Sequence, residues 1–280
     1  MTHYHRAGQV PAKRHTHVVD DTGHRYAEEL MGQAGFSAAS SLLYHRHSPS
    51  ALTAIDAVEP PLGSGVATPD SPLTPRHIRT GALEASSDDA VGGRIRMLAN
   101  DDVEVAWMTA SGTSQLYRNA IGDELVYVQG GRARVESVFG LLEVGPGDYV
   151  VVPASTTHRW VAIEAPVRAL VISSRGHVAP PARYLSERGQ FLEHAPYCER
   201  DLRTPDGPLV VDDTDVPVLV RNRGGWSHHV HRHHPFDVVG WDGCVYPYAF
   251  TIGDFEPIVG RIHQPPPVHQ TFELPGAVVC

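Results

Sequence analysis

The sequence predicts an all-β protein, and three observations carry that expectation. Strand-length segments rich in Val, Ile, Tyr and Trp follow one another from about residue 91 to residue 175. Glycine and proline, 26 and 23 of the 280 residues, are spread along the chain as turn punctuation rather than gathered in one linker. No long stretch repeats its apolar residues at the helical period of 3.6.

Residues 1–50 read as short strands and turns that end in SLLYHRHSPS. The best helix candidates, around 25–32 and 181–188, are both short. Residues 51–90 are rich in Pro, Ser, Gly and Asp with little periodicity, which predicts a long irregular excursion over the surface. Residues 1–90 thus form a first region of N-terminal strands and a long surface loop. The texture changes at 91, where VEVAWMTAS, ELVYVQGG, RARVESVFG, LLEVGPGDYVVVP and RWVAIEAPVRALVISS are separated by Gly-Gly, Gly-Pro-Gly-Asp and Pro turns. This is the short spacing of an antiparallel barrel or sandwich. In RARVES, Ala133 and Val135 alternate with Arg132, Arg134 and Glu136, as in a strand with one wet face. From 176 to 280, proline-rich loops and strands such as VPVLVRN and FDVVGW extend the same domain.

The formal net charge is -9, from 23 basic and 32 acidic residues, so the chain has no electrostatic reason to seek nucleic acid or an anionic membrane. Three scattered cysteines, Cys198, Cys244 and Cys280, predict free thiols in a reducing cytosol rather than a disulfide framework. The first residues, MTHYHRAGQVPAKRHTH, lack the apolar core of a signal peptide, and no apolar run approaches the roughly 20 residues that span a bilayer. A cytoplasmic protein is expected.

Between 119 and 160 the chain resembles the cupin superfamily, whose fold is an RmlC-like jelly-roll barrel. GDELVYVQGG (122–131) is similar to the first cupin motif, with Glu124 at the glutamate position and Gly130 at the turn. GPGDYVVVPASTTHRW (145–160) is similar to the second, with Gly147, Pro153 and His158 in register. Metal-binding cupins supply two histidines just before that glutamate. Here Tyr117, Arg118, Asn119 and Ala120 stand there instead. Glu124 and His158 fall short of the three protein ligands usual at a catalytic centre, so a degenerate, metal-free barrel over 91–175 is expected, with His158 hydrogen-bonded and structural.

The 18 histidines include bunches at YHRH (44–47) and HHVHRHHPF (228–236). His229, His231 and His233 share strand parity, but no cysteine or carboxylate stands beside them at ligand spacing and Arg232 intervenes. A solvated loop or interface is the expectation at 228–234. The segment HQPPPVHQTFE (263–273) holds two histidines and a glutamate, the ligand types of a non-haem iron site. Its three prolines favour polyproline II, which would set the α-carbons of His263 and His269 roughly 19 Å apart. His269 and Glu273 would lie about 13 Å apart on an extended strand, and neighbouring prolines disfavour a helix between them. The segment is therefore not expected to be a metal box.

Five segments, YHRAGQVPAKRHT (4–16), EELMGQAGFSAASSLLYHRHSPS (28–50), YRNAIGDELVYV (117–128), APYCERDLRTP (195–205) and HHPFDVVGWDGCVYPYAFTIGDFEPIVGRIHQPPPVHQTFE (233–273), resemble the homogentisate 1,2-dioxygenase family. The resemblance implies an Fe(II)-dependent enzyme of tyrosine and phenylalanine catabolism that opens the ring of homogentisate with O2 to give maleylacetoacetate. It also implies trimers and hexamers, a large N-terminal domain corresponding to this chain, and iron ligands in a C-terminal domain beyond residue 280. By the same resemblance His263 is the catalytic base that handles the ring-hydroxyl proton, a role that suits an imidazole poised near neutral pH. No such role carries over to His269. The rival expectation is a catalytically inactive, truncated cupin-fold protein that binds or scaffolds.

Overall fold

The computed structural model describes residues 3–13, 17–61, 75–83, 87–256 and 269–280. In chain order its strands are β1 (His5–Gly8), β2 (Ala27–Gly32), β3 (Ser40–His45), β4 (Leu52–Val58), β5 (Ile95–Ala99), β6 (Val103–Ala110), β7 (Leu116–Asn119), β8 (Glu124–Ser137) and β9 (Gly140–Val144). They continue with β10 (Asp148–Val152), β11 (His158–Ser174), β12 (Leu202–Arg203), β13 (Thr214–Asn222), β14 (Gly225–His233), β15 (Val238–Gly243), β16 (Tyr248–Thr251), β17 (Phe272–Leu274) and β18 (Ala277–Val279). The architecture is all-β, as the turn spacing predicts, and the segments that resemble the cupin motifs form β8, β10 and β11 at its centre.

A twelve-stranded sheet runs β12-β16-β10-β8-β11-β7-β13-β14-β4, with β6 and then β5 branching from β11 and β9 from β8. Its spine is the antiparallel ribbon of β8 and β11. Register shifts between Ala162 and Ala169 bend that ribbon into two halves. In one half, residues 124–127 of β8 pair with β10 and residues 167–174 of β11 pair with β6. In the other, residues 133–137 of β8 pair with β9, and His158 of β11 meets Tyr117 of β7. One core lies between the halves and takes Val126, Val128, Ala133, Val135, Val150, Val152, Trp160, Ala169 and Val171.

The four-stranded sheet β1-β15-β3-β2 shares a second core with this barrel. That core joins Leu43 and Trp241 to Leu125, Val151 and Phe250. Thus Leu125 packs against one core while its neighbour Val126 packs into the other, and Val150 and Val151 divide the same way. Strands buried on both faces read as continuous apolar runs, which is why ELVYV and DYVVV lack alternation. RARVES, with one wet face, keeps it.

Four expectations change. The helix candidate at 25–32 is mostly strand β2, paired with β3 from Ala27↔His45 to Gly32↔Ser40. Its Glu, Leu and Met favour helix locally, but Met31 turns inward and Leu30 outward at the period of a strand, so pairing decides. The candidate at 181–188 reduces to one 3-10 turn, Ala182–Tyr184. The excursion expected at 51–90 opens with β4, an edge strand on β14 whose residues are nearly all exposed. At Gly130 the expected turn is a bend inside the single long strand β8. No helix among the described residues is long and apolar enough to cross a membrane.

Candidate functional site

Strand parity aims one glutamate into an apolar interior. Glu124 shares its face of β8 with Val126 and Val128, and it is buried. The partner for its charge is Arg94, whose Nη1 lies 2.9 Å from Glu124 Oε1. Arg94 is itself fixed by a hydrogen bond from Nε to the Ala90 carbonyl, and its guanidinium sits 5.3 Å from the Tyr117 ring centre. The same carboxylate oxygen accepts hydrogen bonds from Tyr117 Oη at 2.9 Å, Asn119 Nδ2 at 3.2 Å and Ser173 Oγ at 3.3 Å. His158 lies against Tyr117, with ring centres 5.5 Å apart, and its Nδ1 is 3.1 Å from the Thr156 carbonyl.

Charge and burial oppose each other here. Burial disfavours the ionised carboxyl of Glu124, but the charge and hydrogen bond of Arg94 overcome that and hold its pKa down at about 2. Burial likewise pushes against the Arg94 cation, and Glu124 more than restores it. Burial keeps His158 below its ordinary 6.5, so the ring is neutral near pH 7. Burial and the nearby Glu124 raise the Tyr117 phenol well above 10.0, so it donates as a neutral hydroxyl.

This donor set does not fit a metal ion. The positions that carry ligands in metal cupins do converge, but the guanidinium among them offers donors only and would repel a cation. Among the described residues, no group of three or more His, Cys, Asp and Glu is placed to hold a metal. His158 is hydrogen-bonded, as expected of a structural residue. Arg94 is the member that motif reading misses, because it stands thirty positions before Glu124. The signal for it was indirect: a glutamate in register with core valines requires a buried counter-charge.

A second polar cluster lies within the four-stranded sheet and links β2, β3 and the residue before β15. His45 of β3 is buried, with Nδ1 2.6 Å from Asp237 Oδ1 and Nε2 3.1 Å from Glu29 Oε2. Asp237 also accepts the His47 backbone N–H at 2.9 Å and lies 3.0 Å from His47 Nδ1. Burial works against the His45 imidazolium, but its two carboxylate partners raise its pKa to about 9. The motif YHRH is thus a structural ion network, not a ligand set.

His263, the sequence-predicted base, lies outside the described residues, as do all of 257–268. His269 is exposed. Glu273, in β17, accepts a hydrogen bond from the Ala182 backbone N–H at 3.1 Å, so its carboxylate does structural work. In the bunch at 228–234, His229 Nε2 reaches Ser227 Oγ at 3.1 Å, and His233 stacks on His47 at 3.8 Å. His231 is buried and, by burial and the nearby Arg118, is lowered to about 4. All but His234 lie on β14, so the segment expected as a solvated loop or interface is a strand of the large sheet, and no three of these side chains are placed to hold a metal.

The sequence comparisons point to one group of proteins. The family model described as Homogentisate 1,2-dioxygenase N-terminal matches residues 19–252. A protein of Saccharolobus solfataricus with a provisional dioxygenase name is 34% identical over 282 residues, covering 100% of this chain and 72% of that protein. Homogentisate 1,2-dioxygenases of Rhodopseudomonas palustris and Nitrobacter hamburgensis are 27% and 30% identical over 74% and 61% of the chain. The chain spans 46% and 38% of their respective lengths, less than half in each case. Among solved structures, a cupin superfamily protein of Desulfitobacterium hafniense is 16% identical, covering 39% of this chain and 98% of its own, with a TM-score of 0.31.

Proposed function

This chain belongs to the homogentisate 1,2-dioxygenase family by its N-terminal domain, and on that premise we propose that it is part of an Fe(II)-dependent dioxygenase that opens the ring of homogentisate with O2 to give maleylacetoacetate. The observation that carries the reading is the family match over residues 19–252. In this proposal the protein acts in the cytoplasm, in tyrosine and phenylalanine catabolism, as a trimer or hexamer. Iron is held by residues other than those described, since neither the barrel centre nor the histidine bunches fit it.

What this chain supplies is a base and part of the substrate wall. Ring cleavage requires a phenol that gives electron density readily, and loss of the hydroxyl proton achieves that. His263 is the residue assigned to take the proton. The segment that carries it departs from and returns to fixed points. The Glu256 backbone N–H donates to the Pro196 carbonyl at 2.7 Å before it, and that of Thr271 to the Val279 carbonyl at 2.6 Å after it.

The test is oxygen uptake by the protein expressed from its whole reading frame and loaded with Fe(II). Homogentisate should be consumed in step with O2, one for one. Uptake without ring-opened product, or no uptake with homogentisate, would overturn the assignment.

A further inference from the structure

We propose that the centre of the barrel is a guanidinium-for-metal site, in which the Arg94 side chain supplies the charge of a cupin ion and, with Glu124 Oε2 and His158 Nε2, encloses one ordered water. This does not depend on the catalytic reading above.

The first part follows from placement. Tyr117 and Asn119, the strand positions before the glutamate, converge with Glu124, and Tyr117 also meets His158. Such a constellation around a buried carboxylate requires a positive charge at its middle, because an isolated buried anion is prohibitively costly. Arg94 provides it, 2.9 Å from Oε1. Tyr117 and Asn119 have become donors to that same oxygen, so the shell that would bind a cation now serves an ion pair.

The second part follows from what is left over. Oε1 of Glu124 receives four donors, whereas Oε2 is buried without a partner. Arg94 Nη2 and His158 Nε2 are equally buried and equally bare. Three orphaned polar atoms in one cluster are uncommon, since buried polar groups are nearly always satisfied. Their chemistry is complementary to one molecule. His158 is neutral and its Nδ1 faces a carbonyl, so Nδ1 carries the proton and Nε2 is an acceptor. Two acceptors and one donor are satisfied together by a water that donates twice and accepts once. Buried waters characteristically make two to four such bonds. The charged Nη2 excludes a metal ion from the same place.

Three measurements test it. In thermal unfolding of the full protein, Arg94→Met should lower Tm by on the order of 10 °C, because it leaves Glu124 buried and unpaired. Arg94→Met with Glu124→Gln should recover most of that loss, and it supplies the comparison if the single variant does not fold. A neutral Arg94→Met, or a double variant no better than the single, overturns the ion-pair assignment. Adding Tyr117→His and Asn119→His to Arg94→Met should create a site that binds Co2+ with visible d–d absorption, abolished by His158→Gln. Failure of that folded variant to bind Co2+ argues against the metal-position assignment. A crystal structure at atomic resolution should show one water within hydrogen-bond distance of Nη2, Oε2 and Nε2. An empty site, a bidentate Arg94–Glu124 pair or a metal ion there overturns the water assignment.

Discussion

His45 shows how much one side chain draws from its surroundings. It is held above its ordinary 6.5, so its contribution to stability is complete below that pH and is lost as the pH rises through about 9. Glu29 and Asp237 are held below their ordinary 4.5 and 3.8 despite burial, by their hydrogen bonds to His45, so their contribution is present above those values and lost as the pH falls. The network is therefore complete only between about pH 4.5 and 6.5. Unfolding by urea should show a loss of roughly 2 kcal/mol between pH 7 and pH 9.5, and His45→Gln should flatten that alkaline limb. An unchanged alkaline slope in the variant would assign the loss elsewhere. His263 calls for a different assay. In the iron-loaded enzyme, His263→Ala should reduce turnover roughly 10²–10⁴-fold with normal iron content, while His269→Ala stays close to wild type. Loss of iron from either variant would make the 263–273 segment a metal site after all.

The ribbon of β8 and β11 depends on one backbone position at its bend. Gly131 has φ +74°, and a Cβ there would meet the carbonyl oxygens of Glu164 and Pro166 at 2.5 and 2.6 Å. These are backbone atoms of the partner strand and cannot turn aside. Gly130, one residue earlier, has open space at its Cβ position. Gly131→Ala should therefore destabilise the protein by roughly 2 kcal/mol or more, whereas Gly130→Ala should change stability by less than about 1 kcal/mol. Equal effects in denaturant melts would mean that the bend tolerates a side chain. The pair of glycines was evident in the sequence as a turn signal. Which of the two bears the positive φ depends on the approach of β11, more than thirty residues away.

The two sheets are joined by a few large side chains. Trp241, fully buried in β15, donates from Nε1 to the Phe139 carbonyl at 2.7 Å and packs edge-on against the Phe139 ring. Tyr184 and Tyr197 donate to the carbonyls of Gln270 and Thr271, which ties β17 to the same core. Trp241→Phe should cost roughly 1–3 kcal/mol, mainly from the carbonyl left bare, and Trp241→Ala about 3–5 kcal/mol. Both should unfold the two sheets in one transition, by intrinsic fluorescence and far-ultraviolet circular dichroism alike. Separate transitions would show that the shared core does not couple them.

The sequence by itself determined the β class and the cupin motifs, because strand parity and turn residues are local properties. It determined the family as well, since motif resemblance needs no contacts. RARVES announces its wet face, and Gly147, Pro153 and His158 announce their strand. Tertiary structure decided what parity leaves open. Only the second sheet explains why ELVYV is apolar on both faces, and only pairing with β3 makes a strand of AEELMG. Only folding brings Arg94 to Glu124, or Asp237 to His45 across 192 positions. A buried charge chooses its partner by distance in space, and that distance is set by the packing of every strand between them.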